Sequence, residues 1–418
     1  MKFRLLLFLL ILTQCAFAQS DTLQLTLPEA EKTFLQNNLQ LIASQYSIDA
    51  SQALIKQARL WDNPVLNTDQ NLYDGKFFRH TKTPNGYTYG EVYIQVQELI
   101  HTAGKIRKLT ELAITNSRIN ELQFEQVMHN LRYTLRNDFY QGSQLMATID
   151  LYELERTQLN KLLSGMKAQY DAGNIAQKDL LRIQALTISV LQEENEYKKQ
   201  LSDVQTELRT ILQTNNNVFI KPTLTVQSVN ITPELDSLVA SAKKNNPDYL
   251  LEKTNLEYSR NNLRYQEALR SPDVNLGVEY DKSNSYVPNY YGLTLSLPLP
   301  FVNRNQGNIA AAAYNLKQEE SLVSMKDQKL AADIQNALSK WRLNQELQQN
   351  IDQDFIKKYD QLMRNAFNAY QQRQMNLIDF IDLFETYKDT QLKYFQHQLN
   401  LQKAKEDLNF LAGQDLMH

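Results

Sequence analysis

The chain is 418 residues long with only 11 glycines and 10 prolines, so turn formers are scarce and its elements must be long. Hydrophobic residues make up 42%, the mean hydropathy is −0.50 and no 18-residue apolar run follows the amino-terminal segment, which excludes a polytopic helical membrane protein. A formal net charge of −3 gives no basis for nucleic acid binding.

Residues 1–18 read as an export signal: Lys2 and Arg4, the apolar run Leu5 to Leu12, then Ala16-Phe17-Ala18 as a cleavage site before Gln19. The alternative is a lipoprotein signal that uses Cys15, against which Gln14 occupies a position that wants a small residue. Cys15 is the single cysteine and leaves with the signal, so neither a disulfide framework nor a thiolate metal site is expected in the exported part.

Thr26-Leu27-Pro28-Glu29 has the spacing of a capping box, and a helical pattern continues through Leu39, Ile42, Tyr46 and Ile48 to about Trp61, stopping at Asn63-Pro64. The same event recurs from Thr232-Pro233-Glu234 through Asn245-Asn246 to Ser271-Pro272, with the proline stop offset by 208 residues. Segments that alternate with period two follow each helix. In the first copy Val92, Ile94 and Val96 alternate with Glu91, Tyr93, Gln95 and Gln97, while the segment after Pro64 alternates poorly. In the second, Val274, Leu276, Val278 and Tyr280 alternate with Asn275, Gly277, Glu279 and Asp281. After the polar loop Lys282 to Asn289, Leu293, Leu295 and Leu297 alternate with Thr294 and Ser296. The pattern predicts two hairpins, four strands in all. Tyr87, Tyr89, Tyr290 and Tyr291 sit at strand ends, either as an interfacial girdle or as cross-hairpin packing.

Each hairpin leads into a very long helical region, about Gly104 to Gln169 and about Gly307 to Ala369. Either would span roughly 90 to 100 Å if unbroken. A returning helix then runs to about Gln213 or Gly413, and in the second Phe380, Tyr387, Tyr394, Leu401 and Leu408 recur every seventh residue, the seam of a coiled coil. Thr214 to Ile231 reads as a linker with one short strand. The chain therefore divides into a signal (1–18), a first repeat (19–213), the linker (214–231) and a second repeat (232–418), an internal duplication.

The reversals between long helices make two equivalent tips. Residues 370–384, YQQRQMNLIDFIDLF, are answered 200 residues earlier by YDAGNIAQKDLLRIQ: Tyr170 matches Tyr370, Asp179 matches Asp379, and Leu180-Leu181 match Phe380-Ile381. Gly173-Asn174 is a natural helix stop. The second tip carries two acids three residues apart, Asp379 and Asp382, which on their own fit a solvated helix amino terminus whose dipole favours acids.

Four amphipathic strands with an apolar face suit lipid. An open four-stranded sheet would leave two unpaired edges in hydrocarbon, where each unsatisfied backbone group costs several kcal/mol. Closure by further copies would solve this, and twelve strands mean a trimer. The alternative is a soluble antiparallel sheet half buried against helices.

Residues 295–310, LSLPLPFVNRNQGNIA, with Pro298, Pro300, Asn303, Arg304 and Gly307, resemble the strand-to-helix junction of the TolC family of outer membrane efflux proteins, in wording closest to its CzcC-like heavy-metal branch. The first copy, residues 97–105 with Gly104, resembles the matching first junction, and Asn245-Asn246-Pro247 resembles the family's second-repeat helix start. The likeness covers nearly the whole exported chain. It implies a mainly α protein with a transmembrane β-barrel: a homotrimer with twelve barrel strands in the outer membrane and a periplasmic α-barrel of long coiled-coil helices. Its tips would meet a periplasmic adaptor (membrane fusion) protein and an inner-membrane pump of the RND type. Asp379 and Asp382 match the family's acid pair at the entrance, so three chains would crowd six carboxylates about one axis, raising some pKa values and attracting cations. Tyr170, Gly173, Asp179, Arg182, Tyr370 and Arg373 are the implied latch and adaptor contacts. The family's latch arginine falls at Met375, with Arg373 or Arg182 as substitutes.

No nucleophile elbow, phosphate-cradling glycine loop or HExxH motif is present, and the histidines at 80, 101, 129, 397 and 418 are scattered. Neither enzyme activity nor a cofactor nor a bound metal is expected, and His101, at a strand-to-helix junction, fits a hydrogen-bonding structural role. The reading is a passive outer-membrane exit duct of a tripartite efflux system, exporting heavy-metal cations, with drugs or secreted protein as the alternative cargo. A soluble periplasmic coiled-coil scaffold is the alternative of another class.

Overall fold

A computed structural model describes residues 22–73, 75–78, 82, 84–85, 90–224, 234–282 and 287–416. The expected signal with Cys15, the second capping residues Thr232 and Pro233, Tyr87, Tyr89, His80 and His418 lie outside the described residues. The elements in chain order are β1 (Thr22–Thr26), α1 (Leu27–Asn37), α2 (Leu39–Ala58), β2 (Val65–Gln70), β3 (Val92–Ile100), α3 (Lys105–Asp171), α4 (Gln177–Leu212) and β4 (Phe219–Thr223). The second half continues with α5 (Leu235–Asn245), α6 (Pro247–Ala268), β5 (Val274–Asp281), β6 (Tyr290–Ser296), α7 (Gln306–Asn350), α8 (Gln353–Gln371) and α9 (Leu377–Ala412). No described helix is long and apolar enough to cross a membrane.

Contacts divide the described residues into two compact units, each drawing on both repeats: those within 22–42, 126–246 and 330–416 form one, and those within 43–125 and 247–329 the other. The first unit holds a small parallel pair, β1 against β4, with Thr22 opposite Phe219 and Thr26 opposite Thr223. Gln205 fastens β4 to α4, its side chain donating to the Ile220 carbonyl at 2.6 Å and accepting from the Ile220 amide at 2.8 Å. The expected linker strand is β4; its partner β1 was not expected.

The capping box at Thr26 is formed, the Glu29 carboxylate accepting from the Thr26 amide at 2.8 Å. That hydrogen bond, foremost, holds the Glu29 carboxyl below its ordinary range. The helix that follows does not run unbroken to Trp61. It stops at Asn38 and α2 ends at Ala58. Buried Asn38 accepts from the Gln40 and Leu41 amides and donates to the Ile211 carbonyl at 3.0 Å. Asn246 repeats the device between α5 and α6, donating to the Leu411 carbonyl at 3.1 Å. A short polar side chain that satisfies freed backbone groups makes a local break cheap.

The first long helix is continuous, but the second, expected from Gly307 to Ala369, is interrupted at Ile351-Asp352. Asp352 caps α8 by accepting from the Asp354 amide at 2.9 Å. On α9 the residues of the seven-residue repeat turn inward: Phe380, Tyr387 and Leu408 are buried and Tyr394 and Leu401 half-buried.

Candidate functional site

In the second unit, β2, β3, β5 and β6 make one antiparallel sheet in that order. Register sorts the side chains into two faces. One face carries the rows Leu66–Val96–Val278–Leu293 and Thr68–Ile94–Tyr280–Tyr291, and beside them Glu98–Leu276–Leu295. The other carries Asn67–Gln95–Glu279–Gly292, Val65–Gln97–Gly277–Thr294 and Asp69–Tyr93–Asp281–Tyr290. The poorly alternating β2 takes its place because each of its residues pairs in register with β3.

The faces differ in kind. The polar one is knit together: Tyr93 Oη and Gln95 Nε2 donate to Glu279 at 2.9 and 3.4 Å, Gln95 Nε2 also reaches Thr294 at 3.1 Å, and Asn67 donates to Gln95 at 3.2 Å. On the apolar face Val278 is 60%, Leu293 79% and Tyr291 78% exposed. An ordinary half-buried sheet turns its apolar face inward; this one leaves it open. β2 and β6 stand at the two ends of the strand order and, among the described residues, pair on one side only.

Beneath the strands, His101 lies between two carboxylates, Asp273 at 3.1 Å and Asp62 at 2.8 Å, and Lys105 Nζ meets Asp273 at 2.7 Å, so the junction histidine is structural. Gly104 has φ +67° directly before α3, and Ala103 beside it φ +54°. In the second junction the positive φ belongs to Asn305, at +60°, whereas Gly307 is already inside α7. Arg304 Nε donates to the Pro300 carbonyl at 3.2 Å, and Asn303 Oδ1 accepts from the Asn305 amide at 3.0 Å; Pro298 is exposed.

In the first unit the two tips are alike down to single hydrogen bonds. Gly173 (φ +73°) donates its amide to the Tyr170 carbonyl at 2.9 Å, and Arg373 (φ +59°) donates to the Tyr370 carbonyl at 3.0 Å. Asn174 to Gln169 and Gln374 to Ala369 follow at 2.8 Å each. Both are helix ends in the left-handed conformation, made once with glycine and once with arginine. Phe380, Phe384, Phe367, Ile183 and Met166 bury together between the hairpins. Phe367 meets Phe380 edge-on with centroids 5.0 Å apart, and Tyr370 stacks on Phe380 at 5.1 Å.

Of the expected latch residues, Arg373 does join the tips, Nη2 donating to Gln169 Oε1 at 2.7 Å, and Tyr370 Oη approaches Met166 Sδ at 3.6 Å. Burial, and then the nearby charge of Asp179, pushes the Tyr370 hydroxyl above its ordinary range. Arg182 and Asp179 form no ion pair among the described residues, and Tyr170 is 37% exposed. Met375, where an arginine was wanted, packs against the buried tip cluster. Asp379 and Asp382 are both exposed. Asp379 shares the cap of α9: its amide donates to Asn376 Oδ1 at 2.9 Å and its carboxylate accepts from Asn376 Nδ2 at 2.6 Å. Asp382, one turn on, has no such tie among the described residues.

The sequence matches the outer membrane efflux protein family over residues 32–213 and 238–414. The chain belongs to that family. The pyoverdine export outer membrane protein OpmQ of Pseudomonas putida is 24% identical over 245 residues, 56% of this chain and 52% of the relative, so the match spans about half of that protein's length. The CmeC outer membrane channel of Campylobacter jejuni superposes with a TM-score of 0.76 at 13% identity, covering 94% of this chain and 86% of that one. The outer membrane protein VceC of Vibrio cholerae gives 0.73 at 16% identity, covering 93% and 96%. At such identities these two structures speak for the fold alone. The family is one of outer membrane efflux proteins and not of enzymes.

Proposed function

We propose that this efflux-family protein is a passive outer-membrane exit duct. The observation that carries this reading is the sheet: four strands, an exposed apolar face, a hydrogen-bonded polar face and two edges left open at β2 and β6. Such a sheet is costly in water and, unclosed, costly in lipid. Three copies joined edge to edge make a twelve-stranded barrel, apolar outside and polar within. The helical tips are then the entrance in the periplasm. A periplasmic adaptor docks on them, with Tyr170, Gly173 and Arg182 exposed for contact, and an inner-membrane pump of the RND type supplies the energy.

Asp379 and Asp382 are the gate in this reading. Three chains bring six exposed carboxylates to one opening, where mutual repulsion is relieved by cations. Current through single channels in planar bilayers tests it: replacing both aspartates with Ala should weaken block by multivalent cations added from the tip side. Unchanged block removes these residues from the gate. The wording of the second junction supports heavy-metal cations as cargo, whereas the pyoverdine relative supports an organic cargo. Export assays with each class in a strain lacking the protein decide between them.

A further inference from the structure

Glu155, on α3, is 2% exposed, and neither of its carboxylate oxygens meets a hydrogen-bond partner among the described residues. A bare carboxylate in such a place is strongly disfavoured. The titratable and charged groups that face it are Tyr152 on its own helix, Glu193 on α4, and Lys388 and Tyr387 on α9. Burial pushes the Glu155 carboxyl up to about 8, Glu193 adds to the rise and Lys388 opposes it. The acid is therefore largely protonated at neutral pH.

Glu193, the neighbour, is in the opposite condition. Lys388 Nζ donates to its Oε2 at 2.7 Å and Tyr152 Oη to the same oxygen at 2.8 Å. Burial works against ionisation here too, but these hydrogen bonds overcome it and hold the Glu193 carboxyl below its ordinary range. Two carboxyls, one on α3 and one on α4, thus stand within the field of one ammonium on α9, and only one of them holds it. Two acids whose surroundings drive them apart are the raw material of a proton switch.

We infer that Glu155 is a proton-operated selector for Lys388. Protonated, Glu155 leaves the ammonium on Glu193, and α9 is anchored to α4. On losing its proton to solvent, Glu155 becomes a second anion facing Lys388, draws the ammonium toward α3 and weakens the anchor. Lys388 lies six residues beyond Asp382 on the same helix, roughly 9 Å along its axis. On the duct reading, which this last step rests on, rising pH loosens the helix that carries the entrance acids.

The sign follows from linkage. A carboxyl raised in the folded state from the ordinary 4.5 to about 8 costs no stability below 4.5, and its cost grows as pH climbs toward 8. The full-length protein in detergent is the sample. Difference infrared spectra should show the carbonyl stretch of a protonated carboxylic acid that fades as pH rises through about 8 and is missing in Glu155→Gln. Glu155→Asp, which keeps a carboxyl, should restore the band with a shifted midpoint. Absence of any Glu155-dependent band at pH 6 overturns the selector. In planar bilayers the wild-type current should change over the same pH interval and the Glu155→Gln current should not. An infrared midpoint with an equally pH-sensitive Glu155→Gln current overturns the link to the entrance. A protein that shows the midpoint but conducts at no pH counts against the duct and leaves the selector supported.

Discussion

Val278→Arg places a charge in the middle of the apolar face, on central strand β5, with Val96 and Leu293 beside it in the same row. Val278 is 60% exposed, so the substitution crowds nothing within the chain. If that face meets water, the change belongs with ordinary surface substitutions and costs within about 0.5 kcal/mol. If it meets lipid, an arginine near the midplane costs about 2–4 kcal/mol per chain. A cost of about 2–4 kcal/mol is roughly 30- to 900-fold in a folding constant, against about twofold for the water-facing case. Gln97→Lys is the control, because Gln97 shares its row with Thr294 on the polar face and gains no lipid contact. Folding into lipid vesicles across a urea series, followed by protection from protease, measures both. Val278→Arg should shift the midpoint strongly and Gln97→Lys should leave it close to wild type. Equal midpoints for the two variants would refute the assignment of faces.

Three further outcomes follow from local geometry. Ala103→Gly removes a side chain from a left-handed position at φ +54° and should stabilise by about 1 kcal/mol, visible as a raised Tm. Gly173→Val introduces the same fault at φ +73°, where space is open and only the backbone objects, and should cost about 1–2 kcal/mol. Arg136 is salt-bridged to Glu31, buried Glu406 and Asp415, so Arg136→Ala should cost about 3–5 kcal/mol by denaturant titration, the stranded acids dominating the loss.

The strands were legible because Val274 to Asp281 alternates without a fault and its partners repeat the period. β1 was not: Thr22–Thr26 alternates too, but its parallel partner lies beyond the end of the first repeat and no turn joins them. The break at Ile351-Asp352 lacks proline and glycine, and its one trace is an aspartate two residues ahead of the amide it caps. The breaks at Asn38 and Asn246 depend on carbonyls of Ile211 and Leu411, contacts that no local window holds. At the tips, duplication carried the information. Arg373 gives no sign of a left-handed backbone until it is set beside Gly173, and its bond to Gln169 follows from that conformation and from packing between hairpins. Glu155 looks like any helix-surface glutamate, since its burial is decided by three helices meeting and not by its neighbours in sequence.

Closure of four strands per chain into a shared barrel is tested by the mass of the unboiled protein extracted from separated membranes. Light scattering with the detergent contribution subtracted should give a trimer, found in the outer-membrane fraction. A monomer released by osmotic shock without detergent would contradict the account: the sheet would then be soluble, and the chain a periplasmic scaffold.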